Sequence, residues 1–206
     1  MGRTAGTPTI LFDYGEVISL PQPAESRANL ERLAGVDPAA FWAAYWAGRR
    51  GYDRGDTAAV YWDNVARHAG ADWDTIRRQQ LWAADVASWL HVRDRSVRLL
   101  ERLAARGARL ALLSNASADM AHALRRSPAL AGFDRLFFSS DLALCKPDPE
   151  IYTRVLGELG AEPGHTIFLD DREENILAAK ALGIDAHHYT GPEAAEAFLA
   201  DRLGPL

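Results

Sequence analysis

Cysteine is almost missing from this chain: Cys145 is the single one among 206 residues. An intrachain disulfide and any multi-cysteine zinc site are therefore excluded, which fits a reducing compartment and leads us to expect a cytoplasmic protein. Long apolar runs are missing too. No stretch reaches the roughly 18 uninterrupted apolar residues that span a bilayer, and residues 1–9 have no apolar signal-peptide core, so no membrane association is expected. Nor is there an excess of positive charge. With 23 Lys plus Arg against 28 Asp plus Glu, the net charge of −5 removes any general attraction to nucleic acid or anionic lipid. Lysine itself is scarce, with Lys146 and Lys180 against 21 arginines. Tryptophan is absent from both ends: Trp42, Trp46, Trp62, Trp73, Trp82 and Trp89 all fall in one central stretch.

What is present is an ordinary globular composition, 48% hydrophobic and 25% charged, which excludes disorder and fibrous repeats. Outside the tryptophan-bearing stretch the pattern alternates strand, turn and helix. Short apolar runs of buried-strand type stand at residues 9–12, 109–113, 136–138, 166–169 and 184–189. Between them, residues 94–106 put Val97, Leu100 and Leu103 on one helical face and stop at Gly107. Residues 150–159 align Ile151, Val155 and Leu159 before Gly160, and residues 172–182 stop at Gly183. Parallel strands need crossover connections that cover the sheet, so the fold class expected is α/β, with a Rossmann-like parallel sheet.

Within residues 20–90 the strand signal stops. Asp37-Pro38 reads as a helix start, Phe41/Tyr45 and Trp42/Trp46 recur at a spacing of four, residues 51–56 read as a turn, and residues 57–69 and 74–87 as further helices. The expected organisation is a catalytic core of residues 1–19 and 91–206, with a helical cap of residues 20–90 inserted after the first strand. The aromatic stripe is expected to be the packing core of a small bundle. Trp46, Arg49 and Tyr52, near the turn, are expected to line an entrance.

In an open parallel sheet, chemistry collects at the carboxyl ends of the strands, where backbone amides and helix N-termini converge. Asp13 ends the first strand, Ser114-Asn115 the second, and Asp170-Asp171 the fourth, while Lys146-Pro147 follows the third. If these strands are neighbours, three carboxylates, one ammonium and a hydroxyl-amide pair share one crevice. At about 4 Å and an effective dielectric near 20, each pair of like charges costs about 4 kcal/mol. A divalent cation with hard oxygen ligands, Mg²⁺, answers that repulsion better than Lys146 alone. Asp13 is then a candidate nucleophile, attacking phosphorus in line to form an aspartyl-phosphate that water hydrolyses.

Four segments carry a resemblance. Phe12-Asp13-Tyr14-Gly15-Glu16-Val17-Ile18, Leu112-Leu113-Ser114-Asn115, Cys145-Lys146-Pro147-Asp148-Pro149-Glu150-Ile151-Tyr152 and Phe168-Leu169-Asp170-Asp171-Arg172-Glu173-Glu174-Asn175 resemble, in order, the four motifs of the haloacid dehalogenase-like hydrolase superfamily. The helical insertion resembles the small cap of the subgroup holding sugar-1-phosphate phosphatases and the N-terminal phosphatase domain of soluble epoxide hydrolase. The resemblance implies a Mg²⁺-dependent phosphatase acting on a small phosphorylated metabolite, such as a sugar phosphate. It implies Asp13 as nucleophile and metal ligand, the Gly15 carbonyl and Asp171 as further ligands, and Asp170 in support. It also implies Ser114 and the Asn115 backbone on the phosphate oxygens, and Lys146 paired with phosphate and with Asp13.

One position departs from the pattern. Many phosphatases of the superfamily carry a second aspartate two residues after the nucleophile, as acid and base; here that position is Gly15. Glu16 or a cap residue could take over, the substrate could have a good leaving group, or the enzyme could be slow or degenerate. Two other functions compete: a 2-haloacid dehalogenase, against which Asp171 speaks because serine usually stands there, and a catalytically degenerate protein that binds a phosphorylated ligand. Cys145 reads as a small buried residue. The adjacent His187 and His188 point to opposite faces of a strand and make a poor metal clamp. The sequence specifies no oligomeric state.

Overall fold

The computed structural model describes residues 8–206; the N-terminal reading above concerns mainly residues 1–7, which lie outside the described residues. Five strands, Thr9–Phe12 (β1), Arg109–Ser114 (β2), Arg135–Phe138 (β3), Thr166–Asp170 (β4) and Asp185–His188 (β5), form one parallel sheet in the order β3-β2-β1-β4-β5. The helices are Ala24–Ala34 (α1), Pro38–Arg54 (α2), Ala58–Ala69 (α3), Thr75–Ser88 (α4), Asp94–Ala105 (α5), Ala118–Leu124 (α6), Ser139–Leu142 (α7), Pro149–Leu159 (α8), Glu173–Ala181 (α9) and Pro192–Leu203 (α10). The first four lie between β1 and α5. No helix among the described residues is long and apolar enough to cross a membrane.

The period of two along each strand divides the sheet's side chains between two cores. Ile10, Phe12, Leu110, Leu112, Ile167 and Leu169 pack on one face with Leu99, Leu103, Met120 and Leu199 from α5, α6 and α10. Leu11, Ala111, Leu113 and Phe168 pack on the other with Ile151, Tyr152, Val155 and Ile176 from α8 and α9. Each such side chain, fully buried, contributes about 1.5–3 kcal/mol. The helical insertion has its own core, in which Phe41, Tyr45, Tyr61, Trp62 and Trp73 are buried, so most of the aromatic stripe is packing, as its spacing predicted; Trp46, 52% exposed, is not part of it.

Local signals explain the helix starts. The Asp37 carboxylate accepts from Ala40 N ahead of Pro38, and Asp148 accepts from Glu150 N ahead of Pro149. The turn expected over residues 51–56 is a correction: α2 continues to Arg54, and the reversal falls at Gly55, with φ 124°. Burial overrides the glycine-rich sequence here. Tyr52 is buried and stacked on Tyr61 at 4.2 Å, and the last-turn carbonyls of Arg50 and Asp53 accept hydrogen bonds from Cys145 Sγ and Ser139 Oγ. The fifth strand is one residue shorter at each end than expected. Helices α1, α6 and α10 lacked a sequence signal strong enough to define them.

Candidate active site

β1 is the switch point of the sheet, with the chain leaving to β2 on one side and returning to β4 on the other. Its register places Phe12 beside Leu112 and Leu169, so the next residues, Asp13, Leu113-Ser114 and Asp170, end in one row. Asp13 N extends the pairing by donating to the Leu169 carbonyl at 2.9 Å. Above this row lies a cavity of about 610 Å³. Asp13, Gly15, Glu16, Ser114, Asn115, Lys146 and Asp171 all line it, and Asp170 is buried behind.

Asp13 is 7% exposed and its two oxygens differ. Oδ1 accepts from Tyr14 N at 2.7 Å and from Lys146 Nζ at 2.8 Å. Oδ2 takes no hydrogen bond among the described residues and lies 4.0 Å from where a Cβ on Gly15, which also lines the cavity, would stand. Lys146 Nζ also donates to Asp170 Oδ2 at 2.6 Å, and Asp170 Oδ1 accepts from Arg172 N and Asn175 Nδ2, both at 2.8 Å. Asp170 thus accepts three hydrogen bonds and orients its neighbours. The Asn115 side chain clamps the backbone of Lys146: Nδ2 donates to its carbonyl and Oδ1 accepts from its amide, both at 2.9 Å. That leaves the Asn115 backbone for the cavity. The Gly15 carbonyl accepts from Val17 N at 2.7 Å and keeps a second lone pair. Glu16 is exposed, in a left-handed conformation with φ 55°.

The electrostatics follow from this packing. Burial raises Asp13 to about 7; Lys146 opposes the rise, and Asp170 and Asp171 add to it. Burial, then Asp170 and Glu16, raise Asp171 to about 6. Burial works against the Lys146 ammonium, but the charges of Asp13 and Asp170 outweigh it and hold the group above the ordinary lysine value. One ammonium among three carboxylates leaves a negative surplus. Asp13, Asp170 and Asp171 each offer an oxygen within 4.8 Å of the others, and the buried Asn175 Oδ1 beside them has no hydrogen-bond partner. Hard oxygens, surplus negative charge and an orphaned acceptor fit a hydrated divalent cation such as Mg²⁺.

The opposite wall comes from the helical insertion. Trp46, Arg49, Arg50 and Asp53 line the cavity from α2, and Trp89 from the end of α4. Trp46 and Arg49 are where the sequence predicted them, but Tyr52 is a correction. It lies on the stripe of α2 shared with Phe41 and Tyr45, is fully buried, and donates to Asp119 Oδ2 at 2.8 Å. Sequence reasoning missed Asp53, Asp85 and Asn175. Arg49 bonds Asp53 Oδ1 at 3.1 Å, Asp85 Oδ2 at 3.2 Å and the Tyr45 hydroxyl at 2.8 Å, forming a buried network. The one available signal was the four-residue spacing of Arg49 and Asp53 on a helix.

This architecture has relatives. A sesquiterpene phosphatase, astK, of Aspergillus oryzae is 35% identical over 97 residues, 47% of this chain and 50% of that protein. The validoxylamine A 7'-phosphate phosphatase of Streptomyces hygroscopicus subsp. limoneus is 31% identical over 144 residues, 66% of this chain and 65% of that protein. The matches thus span half to two thirds of these curated relatives. A HAD family enzyme of Bacteroides thetaiotaomicron superposes with a TM-score of 0.75 at 22% identity, over 94% of this chain and 99% of that one. Its complex with magnesium and inorganic phosphate superposes with a TM-score of 0.68, also at 22% identity, over 88% of this chain and 93% of that one. The family model for haloacid dehalogenase-like hydrolases matches residues 8–183, from the first residue before β1 to the glycine before β5, and the chain belongs to that family.

Proposed function

We propose that the protein is a Mg²⁺-dependent phosphatase that hydrolyses a small phosphorylated metabolite through an aspartyl-phosphate on Asp13. The observation that carries this reading is the asymmetry of the Asp13 carboxylate, which lines the cavity with Asp171: one oxygen is pinned by Lys146 and Tyr14 N, and the other is left open, with no hydrogen bond among the described residues. The open oxygen attacks phosphorus, and the P–O bond to the leaving group breaks on the far side. Lys146, the Ser114 hydroxyl and the Asn115 backbone hold the phosphate oxygens, fixing the attack in line. Asp170 orients Lys146. Asp13, Asp171 and the Gly15 carbonyl are the ligands we assign to Mg²⁺, which when bound supplies charge neutralisation between carboxylate and phosphate. The helical insertion acts as a cap that excludes water and selects the leaving group through its α2 wall. The phosphatases among its relatives, and the magnesium and phosphate complex of a structural neighbour, support this reading.

The test is phosphate release from p-nitrophenyl phosphate and a panel of sugar, nucleotide and acyl phosphates. Release is expected to require Mg²⁺ and to fall to background in Asp13→Asn. Chloride release from 2-chloropropionate that is indifferent to chelator would replace this reading with a dehalogenase, and phosphate release surviving in Asp13→Asn would remove Asp13 as nucleophile.

A further inference from the structure

Position 15 faces the nucleophile. A Cβ placed on Gly15 would stand 4.0 Å from Asp13 Oδ2, so a carboxylate there would overlook the reacting oxygen, and glycine supplies none. Of the acidic residues lining the cavity, two are buried, Asp13 and Asp53, and they come from opposite walls. Asp53 Oδ1 accepts from Arg49 Nε, while Oδ2 takes no hydrogen bond among the described residues.

Asp53 and its neighbours are also tied to the core. Ser139 Oγ donates to the Asp53 carbonyl and accepts from Ala116 N at 2.9 Å, the residue directly after Ser114-Asn115. On either side of Asp53, Tyr52 is bonded to Asp119, and Arg54 Nε donates to the Ala143 carbonyl at 3.0 Å. A helix end leaves its last carbonyls without intrahelical partners, and here the core provides them. The Asp53 backbone is thus joined through Ser139 to the segment that follows Ser114-Asn115.

We propose that Asp53 is the proton-transfer residue of this site, filling the role that Gly15 leaves vacant. The assignment rests on the phosphatase reading above. In the first half-reaction the Asp53 carboxylic acid gives its proton to the leaving oxygen as the bond from that oxygen to phosphorus breaks and the bond from Asp13 forms. In the second, the Asp53 carboxylate takes a proton from water as the water oxygen bonds phosphorus and Asp13 leaves as carboxylate, so the cycle closes with Asp53 protonated again. The groups facing Asp53 are Arg49 on its own helix, Tyr61 on α3, Asp85 on α4, the Cys145 thiol and Arg172. Burial, with Asp85, lifts its carboxyl above the ordinary aspartate value against Arg49 and Arg172, the direction a proton donor needs.

The test is the dependence on leaving group. Asp53→Asn keeps an acceptor for Arg49 and removes the proton. It is expected to lower kcat/KM for the best alkyl phosphate of the panel by about 10²-fold or more, and for p-nitrophenyl phosphate, whose leaving group needs no proton, by less than about 5-fold. With p-nitrophenyl phosphate the variant should show an initial burst of product, because water activation is lost too. Asp53→Glu, which restores a carboxyl, should recover part of the alkyl phosphate activity. Equal losses on both substrates, or no loss on either, would overturn the assignment of Asp53 alone. Absence of phosphate release by the unaltered protein from every substrate would overturn the phosphatase reading and this assignment with it.

Discussion

Replacing Lys146 by methionine tests the electrostatic design of the site directly. The substitution keeps an unbranched stem against the Phe168 ring, over which Nζ now lies at 5.5 Å, and removes the charge bonded to Asp13 and Asp170 at 2.8 and 2.6 Å. Both carboxylates are buried, so each loses its compensating cation without gaining water. Removing one partner of a buried pair costs about 3–5 kcal/mol. For a chain of this size each kcal/mol moves Tm by about 2–4 °C, so Tm should fall by roughly 6–20 °C at pH 8 in EDTA. The orphaned carboxylates can, however, take up protons. Asp13 sits at about 7 even with the lysine in place, and without it rises further, so at pH 5 it is neutral and the loss should shrink to less than half. The assay is thermal unfolding of both proteins by circular dichroism at pH 8 and pH 5. A loss equal at both pH values, or below about 1 kcal/mol at pH 8, would refute the claim that Lys146 compensates a surplus of buried negative charge.

The native site makes a related prediction. With Asp13 raised to about 7 and Asp171 to about 6, the folded state holds protons that the unfolded chain releases near pH 4. Their stabilisation is complete below that range and is lost as pH rises toward 7, up to about 4 kcal/mol from Asp13 alone. MgCl₂ should therefore raise Tm clearly at pH 8 and little at pH 5, because its ligands must be deprotonated; equal shifts in differential scanning fluorimetry would contradict the assignment. Two glycines of α2 should respond oppositely to alanine. At Gly51 the new Cβ meets only the Asp56 carboxylate, which can swing away, so the helix gains up to about 1 kcal/mol. At Gly48 it meets the Tyr61 ring at 3.2 Å, which is stacked on Tyr52 and bonded to the Tyr45 carbonyl, so the variant should be destabilised; urea unfolding of the pair measures the contrast.

The amino-acid sequence by itself determined the core architecture, because alternating apolar strands and amphipathic helices leave a covered parallel sheet as the stable arrangement. It also exposed Asp13, Ser114, Asp170 and Asp171, since each ends a short apolar strand, and Lys146, since lysine is so rare here. What it could not show is held by contacts with no local signature. Asn115 clamps Lys146 across 31 residues, Arg49 meets Asp85 across 36, and Ser139 reaches Asp53 across 86. Nor could it show where α2 ends or which stripe faces the cavity: Tyr52, expected at the entrance, belongs to the core. Spacing along a strand or helix is encoded by neighbours in the chain, whereas helix rotation and the pairing of distant polar groups are decided when the insertion packs against the sheet. The buried carboxylate of Asp53 acquired its place in the cavity only at that step.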